Sequence, residues 1–141
     1  MIGEGFDKDE KEDDSNVGAP SQPLKVTLSP KNPDPQSIIY AIASGSKSDD
    51  GAKFNYYYQW YYKSVGSTQY VLAAGQNLAY WQPVVRAGGD DKDKNGDMGY
   101  TKGGLYTYIL DTGDSLYCSV YAMDVMGRKS RNRVSESVTI G

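Results

Sequence analysis

The sequence predicts a single-domain, all-β sandwich, and three observations carry that prediction. The chain has 141 residues, among them 13 tyrosines and 16 glycines, a composition that favours pleated, half-buried strands joined by many turns. Short runs rich in Val, Ile, Thr and Tyr recur at regular intervals, separated by clusters of Gly, Pro, Asp and Ser, which is the spacing of a sandwich. No stretch keeps a helical period for more than a turn or two. A chain of this length buries a real core but has no room for a second full domain.

The elements follow in order. Residues 1–23 form an acidic N-terminal arm and linker: "DKDEKEDD" cannot bury enough apolar surface to offset chain entropy, and "NVGAPSQP" reads as the linker. The sandwich then occupies residues 24–141. "LKVTLS" alternates and stops at "PKNPDP", whose three prolines forbid further ladder pairing. "SIIYAIAS" ends in the turn-rich "GSKSDDG". After it comes "NYYYQWYYK", with five tyrosines and a tryptophan in nine positions. "QYVLAAG" and "NLAYWQPVV" follow, and residues 86–104 read as one long polar, Gly-rich loop. "LYTYIL", "SLYCSVYAMD" and "RVSESVTI" complete about eight strands.

Alternation divides the aromatic run into two faces. With Trp60 inward, Tyr56, Tyr58 and Tyr62 share the core side, while Tyr57, Gln59 and Tyr61 point outward. In "SLYCSVYAMD", Leu116, Cys118, Val120 and Ala122 form the small apolar core side, and Tyr117, Ser119, Tyr121 and Met123 the other. The outward residues Tyr57, Gln59, Tyr61, Tyr117 and Tyr121 make a tyrosine-rich plane. Tyrosine gives large contact area for little lost side-chain entropy, so this plane is the candidate binding face. Ordinary cross-strand pairing in a solvated sheet is the competing reading.

Composition removes several function classes. One cysteine allows neither an internal disulfide nor a cysteine-based zinc site. The absence of histidine removes the commonest general base and transition-metal ligand. Asp111, Asp114 and Asp124 fall at strand ends, where turns favour Asp, and neither a phosphate-binding loop nor a nucleophile motif appears, so the expectation is a protein that is not an enzyme. No run approaches the roughly 20 apolar residues of a membrane span, and the acidic start is unlike a signal peptide. Membrane insertion is therefore not expected.

Charge is divided unevenly. Residues 1–22 carry seven acids against two lysines, a net of −5, and the remainder carries 13 bases against 11 acids, a net of +2. Asp91, Asp93, Asn95, Gly96 and Asp97 match the opening of a calcium loop. The closing glutamate position is Lys102 and no helices flank the loop, so a true EF-hand is excluded. A solvated acidic loop is favoured and an irregular calcium site is the alternative; no other cofactor is expected. Arg128, Lys129, Arg131 and Arg133 gather in one hairpin, with Tyr108 and Tyr121 as candidate neighbours. Such a set can bind nucleic acid, but four charges on a hairpin of a chain with pI near 4.9 read better as a solvated loop or a contact to an acidic neighbour.

Trp60 in "YQWYYK" and Cys118 in "GDSLYCSVYAMDVMGRKS" together resemble the C and F strands of immunoglobulin-like domains, especially the stand-alone versions of bacteria and bacteriophages. The resemblance spans roughly residues 24–141. It places Ala41 where the family has its strand-B cysteine, which leaves Cys118 a buried free thiol. The family's corner tyrosine would fall at position 116, which is Leu116 here. The loop 86–104 also expands the family's E to F connection, so the order of strands stays open at this level. What the resemblance implies is a structural virion protein, a capsid decoration or auxiliary head protein made in the host cytoplasm. Ile2 and Phe6 of the arm would anchor it to the major capsid protein or other virion subunits. The displayed domain would bind host-surface glycan weakly. The alternatives are a carbohydrate-binding or adhesion module of a bacterial surface protein, using Tyr57, Tyr61 and Tyr121, and a phage tail or baseplate protein.

Overall fold

A computed structural model describes residues 18–73, 76–86, 98–101 and 106–141. Ile2 and Phe6 of the arm, and the candidate calcium ligands Asp91, Asp93, Asn95 and Asp97, lie outside the described residues. The described residues contain no helix and eleven strands: β1 (Lys25–Ser29), β2 (Ile39–Ser44), β3 (Phe54–Lys63), β4 (Val71–Leu72), β5 (Tyr80–Trp81), β6 (Val84–Arg86), β7 (Met98–Thr101), β8 (Tyr106–Tyr108), β9 (Ser115–Asp124), β10 (Arg133–Val134) and β11 (Val138–Thr139). All pairings are antiparallel.

One sheet has the order β1-β2-β5, the second the order β10-β9-β3-β4 with β11 also on β9, and β6-β7-β8 form a small third sheet. The first two orders are those in which an immunoglobulin sandwich pairs its strands A, B and E and its strands G, F and C. Between them lies the core. Val26, Leu28, Ile39, Ala41 and Trp81 come from the first sheet, and Trp60, Leu116, Cys118, Val120 and Val138 from the second. The chain is thus an all-β sandwich built around one tryptophan pair: Trp60 and Trp81 meet edge to face, with ring centroids 6.0 Å apart. The Trp60 indole N–H donates to the Leu78 carbonyl at 2.8 Å, which ties β3 to the segment entering β5.

The aromatic run divides as the alternation requires. Trp60 is fully buried, Tyr56, Tyr58 and Tyr62 are half-buried against the core, and Tyr57 is exposed. Ala41 and Cys118 both lie in the core. Cys118 is a buried free thiol opposite Trp60 in the β3–β9 register, and burial pushes its pKa well up, against a weaker opposing pull from the Gln59 backbone.

The structure departs from the sequence reading in four places. Residues 98–101, assigned to one continuous loop, form β7, a four-residue strand between β6 and β8; "MGYT" is too short and too glycine-rich to show alternation. "QYVLAAG" yields only the two-residue β4. "RVSESVTI" is not one strand but two, β10 and β11, interrupted at 135–137. Finally, "NLAYWQPVV" is not one strand but two, β5 in the first sheet and β6 in the small third sheet. The whole length of the central strand β3 pairs with β9, but β4 covers only Tyr61 and Tyr62 of the other edge. Beyond the bond from the Ala73 N–H to the Trp60 carbonyl, that edge has no strand partner among the described residues.

The interrupted last strand shows how side chains replace a ladder. Ser135 N–H donates to the Cys118 carbonyl at 2.9 Å while Cys118 N–H donates to Ser135 Oγ at 3.0 Å. Ser130 repeats the arrangement on Ala122, with both distances 2.8 Å. Each buried serine supplies through its hydroxyl the acceptor that a paired strand would supply through a carbonyl, so β9 keeps its inner N–H groups satisfied.

Candidate functional site

The candidate face is built on the β3–β9 ladder, whose register sets Tyr57 opposite Tyr121, Gln59 opposite Ser119, and Tyr61 opposite Tyr117. Cross-strand neighbours on one face stand close enough for rings to touch, and these rings stack. Tyr57 and Tyr121 lie 5.4 Å apart at 16°, and Tyr61 and Tyr117 lie 5.0 Å apart at 12°. Stacking turns the rings against each other across the strands.

The two ends of the face then differ. At one end Tyr70 packs edge-on against Tyr117 at 4.8 Å and sends its hydroxyl to Ser137 Oγ at 2.9 Å, with the Lys63 ammonium 5.7 Å from its ring centre. This arrangement covers Tyr117, which is only 9% exposed. Burial, followed by the neighbouring Tyr61 and Tyr70, raises its phenol pKa. Tyr117 was expected to be an open member of the face and is instead part of its packing, because alternation gives the direction of a side chain but not what crosses over it. Ser119 is likewise buried, at 5% exposure.

At the other end Tyr57 and Gln59 are exposed, and Lys129 lies over the Tyr121 ring at 4.8 Å from its centre. The accessible part of the face is therefore Tyr57, Gln59, Tyr121 and Lys129, with Tyr61 half-buried at its margin. The accessible groups are phenol rings and their hydroxyls, one amide and one ammonium, a set suited to a protein surface.

The basic hairpin is largely committed to the fold. Arg128 bridges Asp50 at 2.7 Å and Asp124 at 2.8 Å. Arg133 donates to the Pro23 carbonyl at 3.0 Å and to Gln22 Oε1 at 3.1 Å. Tyr108 is not beside these bases; it packs on Tyr62, with ring centroids 4.2 Å apart. Hydrogen bonds from the Arg128 side chain and the Ala52 backbone hold Asp50 down at about 2. For Asp124 burial pushes the pKa up, but bonds from the Arg128 backbone and side chain and the Met126 backbone outweigh it and lower the value.

Two of the strand-end carboxylates, Asp114 and Asp124, are also structural. Asp114 accepts from Val65 N–H and Asp111 N–H, both at 2.9 Å. Asp124 accepts from Met126 N–H at 2.9 Å and Arg128 N–H at 3.0 Å, which shapes the turn where Gly127 takes φ 84°. Among the described residues no three of Asp, Glu, Cys or His come together as metal ligands would.

Compared with known proteins, the chain matches no family model and no curated protein sequence. Its class is given by the fold alone, an all-β sandwich with a tyrosine-lined sheet.

Proposed function

We propose that the chain is a non-enzymatic structural virion protein, a capsid decoration or auxiliary head protein of a tailed bacteriophage. In this reading the immunoglobulin-like sandwich is displayed on the capsid surface, and the N-terminal arm, through Ile2 and Phe6, anchors it to the major capsid protein or other virion subunits. The observation that supports it best is how the sandwich uses its functional groups. Asp50, Asp114, Asp124 and Arg128 are engaged in turns and ion pairs. The exposed chemistry of the β3–β9 face is a small phenol and ammonium surface on an immunoglobulin-type strand order. Such a surface suits contact between proteins. Weak contact with a host surface would use Tyr57, Gln59 and Tyr121.

The test is co-purification with intact virions, with copy number measured by quantitative mass spectrometry. The proposal expects a fixed copy number per capsid that survives gradient sedimentation. Complete loss on sedimentation would overturn it, and a few copies per particle would favour a tail location.

A further inference from the structure

The sandwich has an open slot along one side, separate from the tyrosine face. It lies between the free edge of β1 and the β10–β11 edge of the opposite sheet, has a volume of about 450 Å³, and is lined by Leu24 to Leu28, Lys31, Arg133, Val134 and Glu136 to Val138. Its inner wall is apolar, since Val26, Leu28 and Val138 are buried. Its rim carries Lys25 and Lys31, with Arg133, already engaged by Pro23 and Gln22, and Glu136 beside them among the described residues. At one mouth Leu24 is 71% exposed, an apolar side chain left in water.

The slot also offers backbone. Ala41 N–H donates to Ala79 O on the β5 side of β2, so the peptide groups of Ala41 face away from β1. In the antiparallel β1–β2 register Ala41 lies opposite Leu28, and alternate pairs behave alike. The N–H and C=O groups of Leu28 and Val26 therefore point into the slot. No strand pairs with them among the described residues.

We propose that this slot is the docking site of the chain's own acidic N-terminal segment, residues 1–17, held as an added strand on β1. Charge, length and the point where the chain leaves the sandwich support that occupant. "DKDEKEDD" carries six acids and two lysines, opposite in sign to the rim. The described chain begins at Gly18, which has φ 86° in a turn and lies against Arg128 and Asp50. From there to Leu24 is six residues, or about 20 Å of extended chain, and from Leu24 to Lys31 about 23 Å more. Seventeen residues reach about 56 Å, enough to fold back and run the length of the slot. A covalently attached segment also meets the slot at an effective concentration in the millimolar range, which favours the same chain over a neighbour. Docking goes beyond the proposed function and is independent of it: it describes the free protein, and anchoring to a particle would draw the arm out.

The test uses the full chain. Amide exchange is followed at Val26 and Leu28, with carbodiimide coupling to join lysines to adjacent carboxylates. Both amides should exchange at least about tenfold more slowly than exposed edge amides, and coupling should link Lys25 or Lys31 to acids among residues 7–14. The double variant Lys25→Glu, Lys31→Glu should lose both signals. Adding Asp9→Lys, Glu10→Lys and Asp13→Lys to that variant should restore the protection. Exchange at Trp60 and Cys118 reports whether each variant is folded. Fast exchange at Val26 and Leu28 in the unaltered chain, or protection unaffected by both charge changes, would overturn the proposal. So would protection that rises with protein concentration, which would assign the slot to a second copy's segment.

Discussion

Replacing Trp60 by Phe tests the core most sharply, because it removes three interactions that the structure separates. The indole is fully buried, its N–H donates to Leu78 O at 2.8 Å, and its ring meets Trp81 edge to face. Phenyl in place of indole gives up about 40 Å² of buried surface, or about 1 kcal/mol. The space left by the missing ring costs about 1 kcal/mol more, and the lost hydrogen bond about another 1 kcal/mol. The sum is about 3 kcal/mol, a large fraction of a stability that for single domains is about 5–15 kcal/mol. Urea unfolding followed by far-UV circular dichroism should show the midpoint falling by roughly 1.5 M at an m-value of about 2 kcal/mol/M, with the slope unchanged. Tyr57→Ser is the matched control: its side chain is 37% exposed and loses chiefly the stack on Tyr121, about 1 kcal/mol. Equal losses in the two variants would refute the division of the aromatic run into a core half and an open half.

Three further outcomes follow from the same structure. Ser135→Ala and Ser130→Ala should each cost about 1–3 kcal/mol, since each strands a buried N–H of β9; the urea midpoint checks this. The Cys118 thiol, buried and with its pKa pushed up, should resist iodoacetamide at pH 8 in the native protein and react in urea. Asp50 and Asp124 have folded pKa values below the ordinary 3.8, so protonation favours the unfolded chain. Their stabilising contribution is full above that ordinary value and fades as pH falls toward about 2. An Arg128→Gln variant should show a shallower acid decline than the unaltered protein between pH 5 and pH 2, measured by thermal melting.

How much was legible in the sequence depended on what each signal measures. Alternation located Trp60 and Cys118 on the core side and Tyr57 on the open side, because a strand's period of two is a local property. The fate of Tyr117 was not legible: Tyr70 covers it from the connection that leads into β4, and Ser137 holds the Tyr70 hydroxyl from 67 residues away. The break between β10 and β11 was hidden for a similar reason. "RVSESVTI" alternates well as a strand, and only the inward turn of the Ser135 hydroxyl onto Cys118 shows that a side chain has taken over the pairing. The basic hairpin looked like a patch in sequence, yet Arg128 finds Asp50 at a separation of 78 residues. Pairings of that range leave no mark in local composition.

The most direct test of the account's central claim is the occupancy of purified capsids by the full chain and by a chain lacking residues 1–17, compared at equal concentration after sedimentation. The account predicts near-complete loss of capsid binding for the shortened chain, with its sandwich still folded by far-UV circular dichroism. Unchanged occupancy would contradict the anchoring role of the arm.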